Sequence, residues 1–272
     1  MSAINGGSII DTEGPVADGD VGYAVDGAVA VITLDRPWAH NALNVHMIRR
    51  LAEAMDAACC DQEVRAIVLT GAGEKAFSAG GDLGELIPRL TKGELEILVP
   101  DPAKRFFSDA FKPIVAAVNG ICLAGGLEIL LGTDIRVAAE HAVFGLPEVR
   151  WGLVPGGGTH VRLPQQVPWA IAMHLLLTGD HIDAPRAAQH GLVTEVVAAA
   201  RVRERAMEVA GDIARNAPVA VRTAKEIAVR ALGNEPRFAL ELALNERVLR
   251  TEDAVEGPRA FMEKRSPRYR NR

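Results

Sequence analysis

The chain has 272 residues, 49% of them hydrophobic and 24% charged, with a formal net charge of −5. That length can bury roughly 70–75% of the unfolded surface, enough for one large domain or two. The acidic balance argues against a nucleic-acid partner. Three cysteines, Cys59, Cys60 and Cys122, form neither a disulfide framework nor a metal-binding spacing, which fits a reducing cytoplasm.

Residues 1–20 are rich in Gly, Asp, Ser and Thr without periodicity and read as a loose leader. They lack the basic segment and apolar stretch of a signal peptide. Val21–Val25 and Ala28–Leu34 flank Asp26-Gly27, a strong hairpin signal. Asn44 is positioned to cap a helix reaching about Cys60, with Met47, Leu51, Ala54, Met55 and Ala58 on one face. Short buried strands are expected at Ala66–Thr70, Ile114–Val118, Ile135–Ala138 and Val143–Gly145, with helical segments between, one starting near Ala124. Strand–helix alternation of this kind predicts an α/β layout with parallel pairing. The apolar run from Ile114 to Leu131 is broken by Asn119, glycines and Glu128, so no membrane span is expected.

After Pro164 the pattern becomes helical. Helices are expected over Pro168–Thr178, Asp183–Gln189, Val202–Arg215, Val219–Leu232, Arg237–Leu249 and Glu252–Lys264. Asp183 and Thr251 fit as N-caps and Gly191 as a C-cap. Only Leu192–Val197 reads as a strand there. The expected layout is a leader (1–20), an α/β core (21–200) and a helical C-terminal region (201–272).

Two glycine-rich loops stand out, Ala76-Phe77-Ser78-Ala79-Gly80-Gly81-Asp82-Leu83 and Asn119-Gly120-Ile121-Cys122-Leu123-Ala124-Gly125-Gly126-Leu127-Glu128. Each sits where a strand gives way to a helix. Glycines there permit tight turns and close approach of a ligand to the main chain. Two amides aimed at one point would form an oxyanion hole. Taken singly, each Gly pair also reads as a plain turn.

Glu128 lies in the first turn of an otherwise apolar helix, on a solvated stripe or in a pocket. Glu148 follows Pro147 near a strand end, where a salt bridge to Arg150 or Arg162 is the plainer assignment. Thr70-Gly71-Ala72-Gly73-Glu74-Lys75-Ala76 matches a dinucleotide-binding pattern, but no uninterrupted helix follows, so it reads as a turn. Pro155-Gly156-Gly157-Gly158-Thr159 lacks the Lys of a phosphate loop and reads as a turn into a helix. The seven histidines are scattered without metal-ligand spacing, so no metal site is expected. The basic C-terminus (Lys264, Arg265, Arg268, Arg270, Arg272) is either a solvated end or a clamp for an anionic ligand group.

Together these segments resemble the crotonase family, the enoyl-CoA hydratases and isomerases. The resemblance is carried by Asp35-Arg36-Pro37, Asn41-Ala42-Leu43-Asn44, the two glycine loops and Asp134-Ile135-Arg136. Further along it is carried by Phe144–Glu148, Gly152–Gly158, Leu177-Thr178-Gly179, Gly191-Leu192-Val193 and Phe261–Arg265, so it spans about Tyr23 to Pro267. It implies a ββα spiral core with a C-terminal helical trimerisation region. It also implies an acyl-CoA thioester substrate, no separate cofactor, and a homo-oligomer that is a trimer or a dimer of trimers. By resemblance, the Gly81 and Gly125 amides would bind the thioester oxygen, and Glu128 and Glu148 correspond to the two hydratase glutamates. Coenzyme A would lie near Ala42, Ala79, Gly80 and Asp82. Lys264 corresponds to a basic residue that approaches the CoA phosphates, often from a neighbouring subunit. Residues 84–110 would line the acyl pocket. Many hydratases have Ala where Gly81 stands and Gly where Ala124 stands, and Trp151 is bulkier than the residue often found at its position.

Such a set would hydrate a 2-enoyl-CoA to a 3-hydroxyacyl-CoA, with Glu128 activating water and Glu148 moving a proton at C2. A double-bond isomerase, a thioester hydrolase and a non-catalytic acyl-CoA-binding protein are the alternatives on the same scaffold.

Overall fold

The computed structural model describes residues 19–270, and the expected leader falls outside them except for its last two residues. Of these, Asp20 already opens the first strand, β1 (Asp20–Asp26), which pairs antiparallel with β2 (Val29–Asp35). Asp26 pairs with Val29, so the turn is centred on Gly27-Ala28, one residue beyond the expected Asp-Gly pair, with Gly27 at φ +58°. Asn44 caps α1 (Val45–Cys60), its side chain accepting from the Met47 amide.

Three successive units then repeat one plan: a long strand, a short strand, then helix. The first is β3 (Ala66–Gly71), β4 (Ala76–Ser78) and α2 (Leu86–Thr91). The second is β5 (Ile114–Val118), β6 (Ile121–Leu123) and α3 (Gly125–Leu130). The third is β7 (Ile135–Ala139), β8 (Val143–Gly145) and a 3-10 helix over Pro147–Trp151. Stacking these units builds the expected ββα spiral, in which the long strands form one sheet and the short strands another.

The remaining elements are α4 (Thr159–Gln166), α5 (Trp169–Thr178), β9 (His181–Asp183), α6 (Ala184–Gln189) and β10 (Glu195–Val197). They are followed by α7 (Val202–Ala214), α8 (Pro218–Ala231), α9 (Glu235–Leu249) and α10 (Glu252–Met262). The large sheet runs β1-β2-β3-β5-β7-β10 and the small one β4-β6-β8-β9. All pairings are parallel except β1 with β2 and β8 with β9. Asp183 and Thr251 cap their helices through side-chain acceptance, and Gly191 takes φ +77° just after α6.

Every residue of β3 and β5 is buried, as expected of central parallel strands covered on both faces. One cover is α7, which lays Val202, Ala206, Ala210 and Ala214 on the large sheet. This stripe of small side chains one turn apart makes α7 a layer of the core, although it lies beyond the boundary expected at residue 200.

Four features depart from expectation. The strands β4, β6 and β9 are each three residues long and gave no periodic signal. The strand expected at Leu192–Val197 contracts to β10.

Candidate active site

The short sheet positions the site. Its strands β4, β6 and β8 run parallel, so the segments that follow them emerge on one side. These segments carry Gly80-Gly81, Ala124-Gly125 and Pro147-Glu148.

The first loop is pinned by buried polar groups. Asn41 is fully buried and donates to the Ala72 and Ala76 carbonyls, while the Ser78 hydroxyl donates to the Asn41 carbonyl at 2.8 Å. Leu43 donates to the Gly80 carbonyl and Asp82 donates to that of Leu43, bracketing Gly81. Gly80 sits at φ +99°, and a Cβ there would lie 2.5 Å from the Ala124 Cβ and 2.9 Å from the Gly125 nitrogen. The two loops therefore touch backbone to backbone.

A Cβ on Gly125 would stand 3.3 Å from the Gly81 nitrogen, so the two candidate oxyanion-hole residues are neighbours. Among the described residues neither amide donates a hydrogen bond. Gly125 is the first residue of α3, where the amide has no intrahelical acceptor and the helix dipole is positive. Gly81 differs from expectation here, because α2 begins only at Leu86.

Gly81 and Gly125 both line a cavity of about 290 Å³, lined also by Ala79, Glu128, Glu148 and the apolar side chains of residues 83–106. A larger groove of about 470 Å³ between α1 and residues 97–110 contains neither glutamate and neither amide.

Glu128 is only 4% exposed, so the pocket and not the solvated stripe is its setting. Its Oε1 accepts from the Gly157 amide at 2.6 Å and the Thr159 hydroxyl at 3.1 Å. Burial pushes its carboxyl up to about 7, aided by the negative charge of Glu241 and opposed by those two hydrogen bonds. Glu148 is raised well above the ordinary carboxylate value, first by burial and then by Glu128. Its Oε2 is buried without a partner among the described residues. The expected salt bridge is not formed. Arg150 instead pairs with Asp180, and Arg162 lies over the Phe238 ring and donates to Ser108.

The other expected ligand residues divide. Ala79 lines the cavity, whereas Ala42, Gly80, Asp82 and Lys264 do not. Asp82 is held by Arg36 Nη1 at 2.6 Å and by the Gly84 and Glu85 amides, so its carboxylate closes a turn. The Ala42 carbonyl accepts from Arg36. Lys264 lies exposed, at φ +52°, in the turn that ends α10. That helix covers the cavity of its own chain, to which it contributes Phe261. Arg265 is taken by Glu256 and Glu263 and is not free to act as a clamp.

Sequence reasoning passed over several wall residues: Leu242, Asn245 and Leu249 on α9, and Phe261 on α10. Their spacing along α9, one or two turns apart on one face, was the available signal.

The ββα spiral thus brings the Gly81 and Gly125 loops and two buried glutamates, both raised above the ordinary carboxylate value, to one largely apolar cavity. The enoyl-CoA hydratase/isomerase family pattern matches residues 24–272, and the chain belongs to that family, the crotonases. It is 40% identical over 258 residues to an enoyl-CoA hydratase, EchA19, of Mycobacterium tuberculosis, covering 90% of this chain and 94% of that protein. It is 38% identical over 260 residues to a carnitinyl-CoA dehydratase of Proteus mirabilis, covering 90% and 96%. The structure of a carnitinyl-CoA dehydratase from Mycobacterium avium superposes with a TM-score of 0.82 at 39% identity, covering 93% of this chain and 99% of that one.

Proposed function

We propose that this enzyme hydrates 2-enoyl-CoA thioesters to 3-hydroxyacyl-CoA. The observation that carries the reading is the presence of Glu128 and Glu148 in the cavity that Gly81 and Gly125 also line. Those amides would draw charge onto the thioester oxygen and make C3 electrophilic. Glu128 would take a proton from water as its oxygen bonds to C3, and Glu148 would deliver a proton to C2 as the enolate collapses. Burial raises both carboxyls, Glu128 to about 7 and Glu148 well above the ordinary value, which suits general acid–base work. An isomerase needs chiefly one proton shuttle, so two glutamates favour hydration. The scheme calls for no cofactor beyond the coenzyme A of the substrate.

The wall favours an uncharged acyl group. Apart from the two glutamates, no charged side chain among the described residues lines it. We further propose a homotrimer, or a dimer of trimers, working in the cytoplasm. Trp169, Leu177, Val219, Ile227 and Leu240 expose large apolar side chains on the C-terminal half, which supports association of copies. No described helix is long and apolar enough to cross a membrane.

The test is loss of conjugated-thioester absorbance with crotonyl-CoA and longer 2-enoyl-CoAs, in wild type, Glu128→Gln and Glu148→Gln. Hydration in wild type that falls by about 10²-fold or more in each variant supports the reading. Binding without absorbance change overturns it, and turnover of a 3-enoyl-CoA would then assign an isomerase.

A further inference from the structure

The first turn of α4 supports two carboxylates. Gly157 and Thr159 donate to Glu128. The next amide, that of His160, donates at 3.0 Å to Oε1 of Glu241 on α9, and His160 Nδ1 lies 3.3 Å from the same oxygen. The other oxygen of Glu241 accepts from Arg105 Nε at 3.1 Å, with the side chains of Arg105 and Glu241 only 1% and 3% exposed. Arg105 is itself fixed, donating to the Pro102, Lys104 and Phe238 carbonyls, with its guanidinium 5.2 Å from the Phe238 ring centre. One carboxylate thus ties three segments together: residues 102–105, the start of α4, and α9.

Stability alone is a weak reason for such a pair, because well-packed apolar side chains serve as well in a core. Its location supplies a better one, since the turn it clamps is the turn on which the Glu128 carboxylate rests. We propose that Glu241, held by Arg105 and His160, is a positioning residue that fixes the α4 turn and thereby the orientation of the Glu128 carboxylate toward its water. The proposal rests on the hydratase reading.

The groups that bear on Glu241 are Glu128 from α3, His160 and Arg162 from α4, and Arg105 from the preceding loop, with Glu148 beyond Glu128. Removing the charge of Glu241 takes a negative neighbour from Glu128, so Glu128 should lose its proton at lower pH.

The test is Glu241→Gln, which keeps the shape and loses the charge. The expected result is a kcat lower by about 10–100-fold with KM little changed. The acid limb of the kcat–pH profile should move to lower pH by about half a unit or more. Glu241→Asp, which keeps the charge, should restore the limb toward its wild-type position. His160→Ala, at an exposed residue, should lower kcat by a smaller factor without moving the limb to lower pH, because His160 lowers the Glu128 carboxyl, and its kcat covers the case of a Gln variant that does not fold. An unchanged kcat and limb, or a change in KM alone, overturns the proposal. Carboxyl-carbon NMR of Glu128 in wild type and Glu241→Gln reads the same shift without turnover. If wild type hydrates no 2-enoyl-CoA, the hydratase reading fails, and an unshifted Glu128 titration separately rejects the role of Glu241.

Discussion

The Trp151 and Phe261 rings meet edge to face, with centroids 4.9 Å apart and planes at 82°. Both line the cavity, so this pair joins the 3-10 helix carrying Glu148 to α10. Such a contact contributes about 0.5–1.5 kcal/mol beyond area burial.

The closeness of the two segments depends on Gly257. A Cβ there would lie 1.8 Å from the Trp151 carbonyl oxygen. We expect Gly257→Ala to loosen α10, at a cost of about 1–3 kcal/mol locally. Hydrogen exchange should then rise over residues 252–262 while the large sheet keeps its protection, and KM for enoyl-CoA should increase. Unaltered exchange over α10 would refute this.

Gly125→Pro removes one of the two unpaired amides. Proline is tolerated at the first position of a helix, so α3 should persist. We expect kcat to fall by about 10²–10³-fold while affinity for coenzyme A changes little. Equal loss of both, measured by kinetics and calorimetric titration, would mean that the amide is not specific to the transition state.

The buried glutamates predict a pH dependence of stability. Glu128 holds its proton up to about 7 in the folded chain, against an ordinary value of 4.5. The folded state therefore binds more protons between those values, and stability present at the acid end is lost as pH rises through that window. Each unit is worth about 1.4 kcal/mol, so the Glu128 contribution is on the order of 3 kcal/mol. Glu148 shifts in the same direction, and the two titrate as a pair. Glu128→Gln should flatten the fall of Tm between about pH 5 and 8. A wild-type Tm that rises across this range would contradict the assignment.

Ala124 adopts φ 49° and ψ −126°, a conformation suited to glycine. Such strain costs on the order of 1–3 kcal/mol. Ala124→Gly should relieve it and raise Tm by a few degrees, about 2–4 °C per kcal/mol for a domain of this size. A lower Tm would show that the Ala124 methyl, packed against Gly80, contributes more than the strain it imposes.

The long strands and α1 were legible because burial imposes a pattern on them. Residues 66–69 and Ile114–Val118 are continuous apolar runs, and the face of α1 from Met47 to Ala58 repeats at helical spacing. The short sheet was not, since three residues such as Ile121–Leu123 complete barely one alternation and lie among glycines. The pocket setting of Glu128 could not be read from its neighbours, because the two donors that hold it come from Gly157 and Thr159, far along the chain. The partners of Asp82 were equally hidden, since Arg36, which holds its carboxylate together with the Gly84 and Glu85 amides, lies far away in sequence. Glu241 was invisible because its partners Arg105 and His160 are distant in sequence and meet only in the fold.

The wall formed by Leu242, Leu249 and Phe261 lies near the C-terminal end of the sequence. During synthesis the glycine loops and both glutamates leave the ribosome well before it does. The cavity wall is complete only with α9 and α10, so termination after residue 234 would remove Leu242, Asn245, Leu249 and Phe261 from it and, with Glu241, the carboxylate that holds the α4 turn beside Glu128.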